Sequence, residues 1–106
     1  MKKIISQSHL FVKKVAEMGI KVDKAFLFGS YANGNPQPYS DIDICIVSPN
    51  LGRDFTEETV MLSKISSQID SRIEAVPFDT ERLNDPYDPL SFQIRNHGIP
   101  LSLNTP

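Results

Sequence analysis

The sequence predicts an α/β (α+β) chain, a small mixed β-sheet with helices packed against it. Stretches with helical period alternate with short apolar runs of strand length, which is the pattern of one sheet covered by helices. The chain has 106 residues, of which 40% are hydrophobic and 23% charged. That is an ordinary balance for a globular protein. Its length suits one domain over residues 1–106, because a second core would be too small to hold itself together.

The first segment, to about Met18, has helical period. Ile4, Phe11, Val15 and Met18 line one side with Ile5 and Val12 beside them, while Lys13, Lys14 and Glu17 face away. Gly19 is placed to end it. Ala25-Phe26-Leu27-Phe28 reads as a buried strand, closed abruptly by Gly29-Ser30. Residues 34–39 contain two prolines, which exclude them from a sheet interior. Asp41 to Val47 is the strongest strand: polar at its start, then apolar on both faces, as a central strand should be. A turn over 48–52 leads to a second helix capped by Asp54 or Thr56, with Glu57 and Glu58 in its first turn. Its buried stripe is Met61 or Leu62, then Ile65 and Ile69. Arg72 to Phe78 reads as a third strand, with Ile73 and Ala75 on one side and Arg72, Glu74 and Val76 on the other. Asp88-Pro89 and Gly98 bracket a last helix, and Ile99 to Leu103 closes the chain in an extended stretch.

Several function classes drop out at this stage. No apolar run approaches the ~20 residues that span a bilayer, so no membrane role is expected. Met1-Lys2-Lys3-Ile4-Ile5 begins like a signal peptide, but Ser6 to His9 interrupt the apolar stretch, and a cytoplasmic address is expected. The single cysteine, Cys45, excludes an internal disulfide and a Cys-based zinc cluster; within its apolar run it reads as a buried thiol. A net charge of −2 argues against a dedicated nucleic-acid binder. Six of the eleven basic residues fall in the first 24 positions. They read as the wet face of an amphipathic helix, with a cationic rim that draws in polyphosphate as the alternative.

Chemistry concentrates in Ser40-Asp41-Ile42-Asp43. Alternation along a strand would put Asp41 and Asp43 on one side, with Cα atoms ~6–7 Å apart. Two carboxylates brought to ~4 Å at an effective dielectric near 20 repel by about 4 kcal/mol. A hard divalent cation would offset that, and Mg²⁺ takes one or two carboxylates together with substrate phosphates. The plain alternative is a solvated pair at a strand end. Upstream, Gly29-Ser30 follows a strand and opens a short helical turn, whose amides and Ser30 hydroxyl suit phosphate oxygens. Should the two strands be neighbours, a phosphate cradle lies beside a metal site.

Gly29-Ser30, three residues, Gly34, five residues and then Ser40-Asp41-Ile42-Asp43 resembles the signature of the DNA polymerase β-like nucleotidyltransferases. It is especially similar to the minimal nucleotidyltransferase (MNT) group, often encoded beside HEPN-domain proteins. Residues 94–99 look like that family's closing helix and last strand, so the likeness runs the length of the chain. The resemblance implies a nucleotidyltransferase fold. It further implies phosphate binding by Gly29 and Ser30, with Ser40 in the same binding set, and two Mg²⁺ ions held by Asp41 and Asp43. Glu74 occupies the position of the family's third carboxylate, as a metal ligand or general base, or else as an exposed strand residue. Two positions depart from the family: Glu74 stands where Asp is commoner, and Asn33 where many relatives carry a basic residue.

The expected activity is Mg²⁺-dependent transfer of a nucleoside monophosphate, AMP from ATP, to an acceptor hydroxyl. The predicted elements use nearly all of the chain, which leaves the acceptor platform to a second copy or a HEPN-domain partner. That implies the antitoxin of a HEPN/MNT toxin–antitoxin pair. The alternative is a non-catalytic antitoxin of the same fold; an antibiotic-modifying enzyme is disfavoured by the missing drug-binding domain. His9 and His97 read as helix-surface or capping residues, and Asp79, Glu81, Asp85 and Asp88 as a solvated acidic stretch.

Overall fold

The computed structural model describes residues 2–103. Helix α1 covers Lys2–Glu17, strand β1 Lys24–Phe28, strand β2 Ile42–Val47, helix α2 Phe55–Ser66, and strand β3 Ile73–Phe78. A single turn, α3 (Thr80–Leu83), precedes α4 (Pro89–His97) and the two-residue β4 (Ile99–Pro100). The strands form one sheet in the order β3-β2-β1-β4. β1 runs antiparallel to both β2 and β4, whereas β2 and β3 are parallel. This is the mixed sheet with helices that the pattern of the sequence predicts.

Alternation of side chains across each strand sorts the core into two layers. On one face, Leu27, Ile42, Ile44, Ile46, Ile73 and Ala75 pack with Phe11, Val12 and Val15 of α1 and Leu62 and Ile65 of α2. The opposite face carries Cys45, Val47 and Phe78 under Leu83 and Ile94, with Phe26, Phe28 and Val76 at its margins. β2 is therefore covered on both sides, which explains its unbroken apolar run. Cys45 is fully buried there, and burial pushes its thiol up to about 12.

Local signals set the helix ends. Asp54 caps α2 by accepting the Glu57 amide. Glu58 does more than face the helix dipole: it is buried, and its carboxylate accepts the backbone N–H groups of Gly52, Arg53 and Asp54. In α4, Pro89 takes the first position behind the Asp88 cap and Gly98 follows the last turn.

Two expectations need correction. α1 stops at Glu17, so Met18 lies outside the buried stripe and is 68% exposed. Ser8 takes a place in that stripe instead, its hydroxyl donating to the Ile4 carbonyl at 2.7 Å. The acidic stretch after β3 is not simply solvated either. Asp79 caps α3 by accepting the Arg82 amide, and Asp88 both caps α4 and pairs with Arg82 Nε at 2.8 Å. Arg82 in turn lies over the Phe78 ring, 4.2 Å from its centre. These groupings lie within a few residues of one another but depend on where α3 turns the chain, which periodicity does not see.

Replacing Phe11, fully buried at the centre of the larger layer, with Ala should cost about 3–5 kcal/mol of stability. Urea denaturation of the Phe11→Ala protein checks this; a loss below 1 kcal/mol would mean that the layer collapses into the space.

Candidate active site

The site grows out of strand register. Asp43 on β2 stands opposite Phe28 of β1 and opposite Glu74 of β3. Directly paired residues share a face, so all three side chains project to the side on which α3 and α4 pack. Beyond the cover of α4 this row meets solvent: Phe28 and Asp43 are half-buried and Glu74 is exposed.

Gly29 follows Phe28 with φ +75°, a backbone conformation that favours glycine. Any Cβ there would run into the Asp43 carboxylate. The turn that Gly29 opens is helical in its bonding, since Asn33 N–H donates to the Gly29 carbonyl at 3.0 Å and Asn35 N–H to Ser30 at 3.1 Å. The structure thus sets the Gly29-Ser30 turn directly against Asp43, with Ser30 half-buried beside it.

Asp41 lies one residue before β2, close enough for its charge to act on Asp43. β2 begins at Ile42, whose amide donates to the Arg72 carbonyl, and Asp41 sits exposed just before it. Ser40 is half-buried, and its hydroxyl accepts the Gln37 amide at 2.7 Å to close the proline-containing loop. That loop is tied to the sheet edge by Arg72, which donates to the Pro38 carbonyl and is gripped through Nε and Nη2 by Asp70. The bonds from Arg72 hold the Asp70 carboxyl at about 2. This clamp was not read from the sequence, although an Asp two residues before an Arg at a strand start is a local signal for it.

Electrostatics mark Asp43. Burial first, then the Glu74 and Asp41 carboxylates, raise its pKa to about 6. No described cation forms an ion pair with Asp41, Asp43 or Glu74. Among the described residues, no three Asp, Glu, His or Cys side chains are already gathered closely enough to hold a metal ion. Mg²⁺ needs no such cage, since it takes one or two carboxylates and completes its shell with water and phosphate oxygens. Mutually repelling oxygens without a counter-charge, beside a turn that presents amides, fit that ion chemically.

A cleft of about 610 Å³ opens next to Gly29 on the same face, running between Phe28 and α4 past Asn33, Tyr87 and Phe92 to His97. His97 is the exposed last residue of α4, as the sequence suggests, while His9 on α1 lies away from this cleft, lining a separate pocket. The aromatic cleft was not foreseen. No helix among the described residues is long and apolar enough to cross a membrane.

The family model described as "Nucleotidyltransferase domain" matches residues 9–99. No curated protein sequence matches. Among solved structures, the chain is similar to a toxin–antitoxin crystallised with AMP-PNP, with TM-score 0.67 and 24% identity over 93% of this chain and 74% of the other. A mutant of the MntA-HpeT toxin–antitoxin gives TM-score 0.62 and 25% identity over 89% and 70%. A Sulfolobus solfataricus protein described as a nucleotidyltransferase gives TM-score 0.67 and 19% identity over 92% and 78%. These likenesses show the fold.

The charge on Asp43 has a thermodynamic consequence. Its carboxyl holds a proton up to about pH 6 in the folded state but only to its ordinary value of 3.8 in the unfolded chain. The contribution of Asp43 to stability is therefore fullest below 3.8 and is lost as pH rises through 6. With solvent screening of a half-exposed group allowed for, the loss is ~1–2 kcal/mol. Thermal melts without divalent ions should show Asp43→Asn gaining on the wild type as pH rises from 4 to 7; parallel pH profiles would contradict this.

Proposed function

The chain belongs to the nucleotidyltransferase domain family, and from that premise we propose that it transfers a nucleoside monophosphate, AMP from ATP, to an acceptor hydroxyl on a partner protein. The observation that carries this reading is the row of Asp43 and Glu74 with Gly29 closing against it. Backbone amides of the Gly29-Ser30 turn, with the Ser30 hydroxyl, would bind the triphosphate oxygens. Asp43 would hold Mg²⁺, with Asp41 and Glu74 completing the carboxylate set and two ions as the full complement. Bound Mg²⁺ would neutralise charge on the leaving pyrophosphate and lower the pKa of the acceptor hydroxyl.

The chain's own groups account for the remaining steps. The acceptor oxygen attacks the α-phosphorus, the bond to the pyrophosphate oxygen breaks, and pyrophosphate leaves. Glu74, exposed at the edge of the row, would serve as a metal ligand or take the acceptor's proton. The Asp70–Arg72 clamp keeps the loop that carries Ser40 and Asp41 against β3, which limits the freedom of the one carboxylate outside the strand.

Toxin–antitoxin complexes among the similar structures support placing this chain as the antitoxin that modifies a paired toxin, a HEPN-domain protein, with a second copy of the chain as the other candidate partner. A non-catalytic antitoxin that neutralises by contact is the second reading. It is favoured by the position of Asp41, exposed one residue before β2.

Incubation with α-labelled ATP, Mg²⁺ and the product of the adjacent gene tests both readings. Label should pass to the partner, and Asp43→Asn should lower transfer by ~100-fold or more. A stable complex with no label on either chain would establish the contact-only reading in place of catalysis.

A further inference from the structure

We propose that the cleft between the Gly29 turn and α4 receives the base of the nucleoside triphosphate, a purine, stacked between Tyr87 and Phe92. The proposal rests on the nucleotidyltransferase reading above and adds the part of the substrate which that reading leaves unplaced.

Position is the first argument. The cleft begins at Phe28 and Gly29, and Phe28 pairs directly with Asp43. Paired strand residues lie about 5 Å apart on one face, so a molecule whose phosphates meet the Gly29 turn has its remaining part within reach of this cavity. At about 610 Å³ the cleft has the size of a small-molecule site. Tyr87, in the Pro86–Pro89 segment, is 90% exposed, and Phe92 on α4 is 54% exposed. Neither ring is covered, and both line the same cavity. Every base has a π-face that stacks on such rings.

Polarity is the second. The cleft is lined by no lysine or arginine. Its one carboxylate, on Asp88, is already engaged by Arg82 Nε and the Ser91 hydroxyl, both at 2.8 Å, and by the Leu90 amide at 3.2 Å. A phosphate tail would find no cation there. What remains along the cleft are the amides of Asn33 and Gln93 and the imidazole of His97, groups that donate and accept hydrogen bonds as the edge of a base requires. A larger cavity of about 900 Å³ lies nearby but is lined by Asp79, Glu81, Arg53 and Arg82 and does not reach Gly29. Stacking strength sets base preference where readout by hydrogen bonds is sparse, and two rings favour the wider purine.

Calorimetric titration of the full chain in Mg²⁺ buffer, with AMP-PNP in one arm and inorganic tripolyphosphate in the other, tests the assignment. Tyr87→Ala and Phe92→Ala should each weaken AMP-PNP about 10-fold and leave tripolyphosphate unchanged. Tyr87→Phe should retain wild-type affinity, and the uridine analogue should bind the wild type more weakly than AMP-PNP. Unchanged AMP-PNP affinity in both Ala variants, or an equal loss for tripolyphosphate, would overturn the cleft assignment while the transferase reading stands. A wild type that binds neither ligand would overturn both.

Discussion

Because side chains alternate across a strand, the pairing of Asp43 with Phe28 on one side and Glu74 on the other fixes what the rest of the molecule can do. A slip of one residue would turn Asp43 into the layer beneath α1 and α2, and would expose Ile42 and Ile44 in its place. Both of those are fully buried, as is Leu27 on the neighbouring strand. The apolar layers thus enforce the register, and the register in turn aligns the carboxylates with the turn at Gly29. Core and site are one constraint seen from two faces of the sheet.

That arrangement carries a cost where it opens to solvent. Asp43 is half-buried among like charges with no ion-paired base at hand, and Gly29 holds a left-handed backbone against it. The other buried and half-buried carboxylates of the described residues are matched by hydrogen bonds or cations. Glu58 is satisfied by three amides, Asp70 by Arg72, and Asp88 by Arg82 and Ser91. A sequence that pairs its other half-buried carboxylates so consistently but leaves this one raised to about 6 has kept a local inconsistency, and such inconsistencies gather at functional sites. Two packed layers on either side of β2 offset it.

Much of this was legible in the residues because its causes are local. An apolar run marked β2, alternation marked β3, proline and glycine bracketed α4, and the interval from Gly29 to Asp43 carried the family likeness. The rest depends on where elements begin and end and on how the chain turns between them. Met18 fits a helical stripe by spacing but falls past the end of the helix. Asp41 reads as the first residue of a strand, yet ladder pairing begins only at Ile42. Asp79 and Asp88 look like solvated charges until Arg82 is placed between them. Tyr87 and Phe92 sit in unremarkable surroundings along the chain, and only the packing of α4 on β1 brings them beside Gly29.

The central claim is that the oxygens around Asp43 form a divalent-cation site against the Gly29-Ser30 turn. Mn²⁺, which shares the oxygen preference of Mg²⁺, reports on it through paramagnetic broadening of backbone amide signals in the presence of AMP-PNP. Substoichiometric Mn²⁺ should broaden Gly29, Ser30, Asp43 and Glu74 first, and an excess of Mg²⁺ should restore them. Broadening centred instead on the stretch from Asp79 to Asp85, with those four signals sharp, would contradict the account.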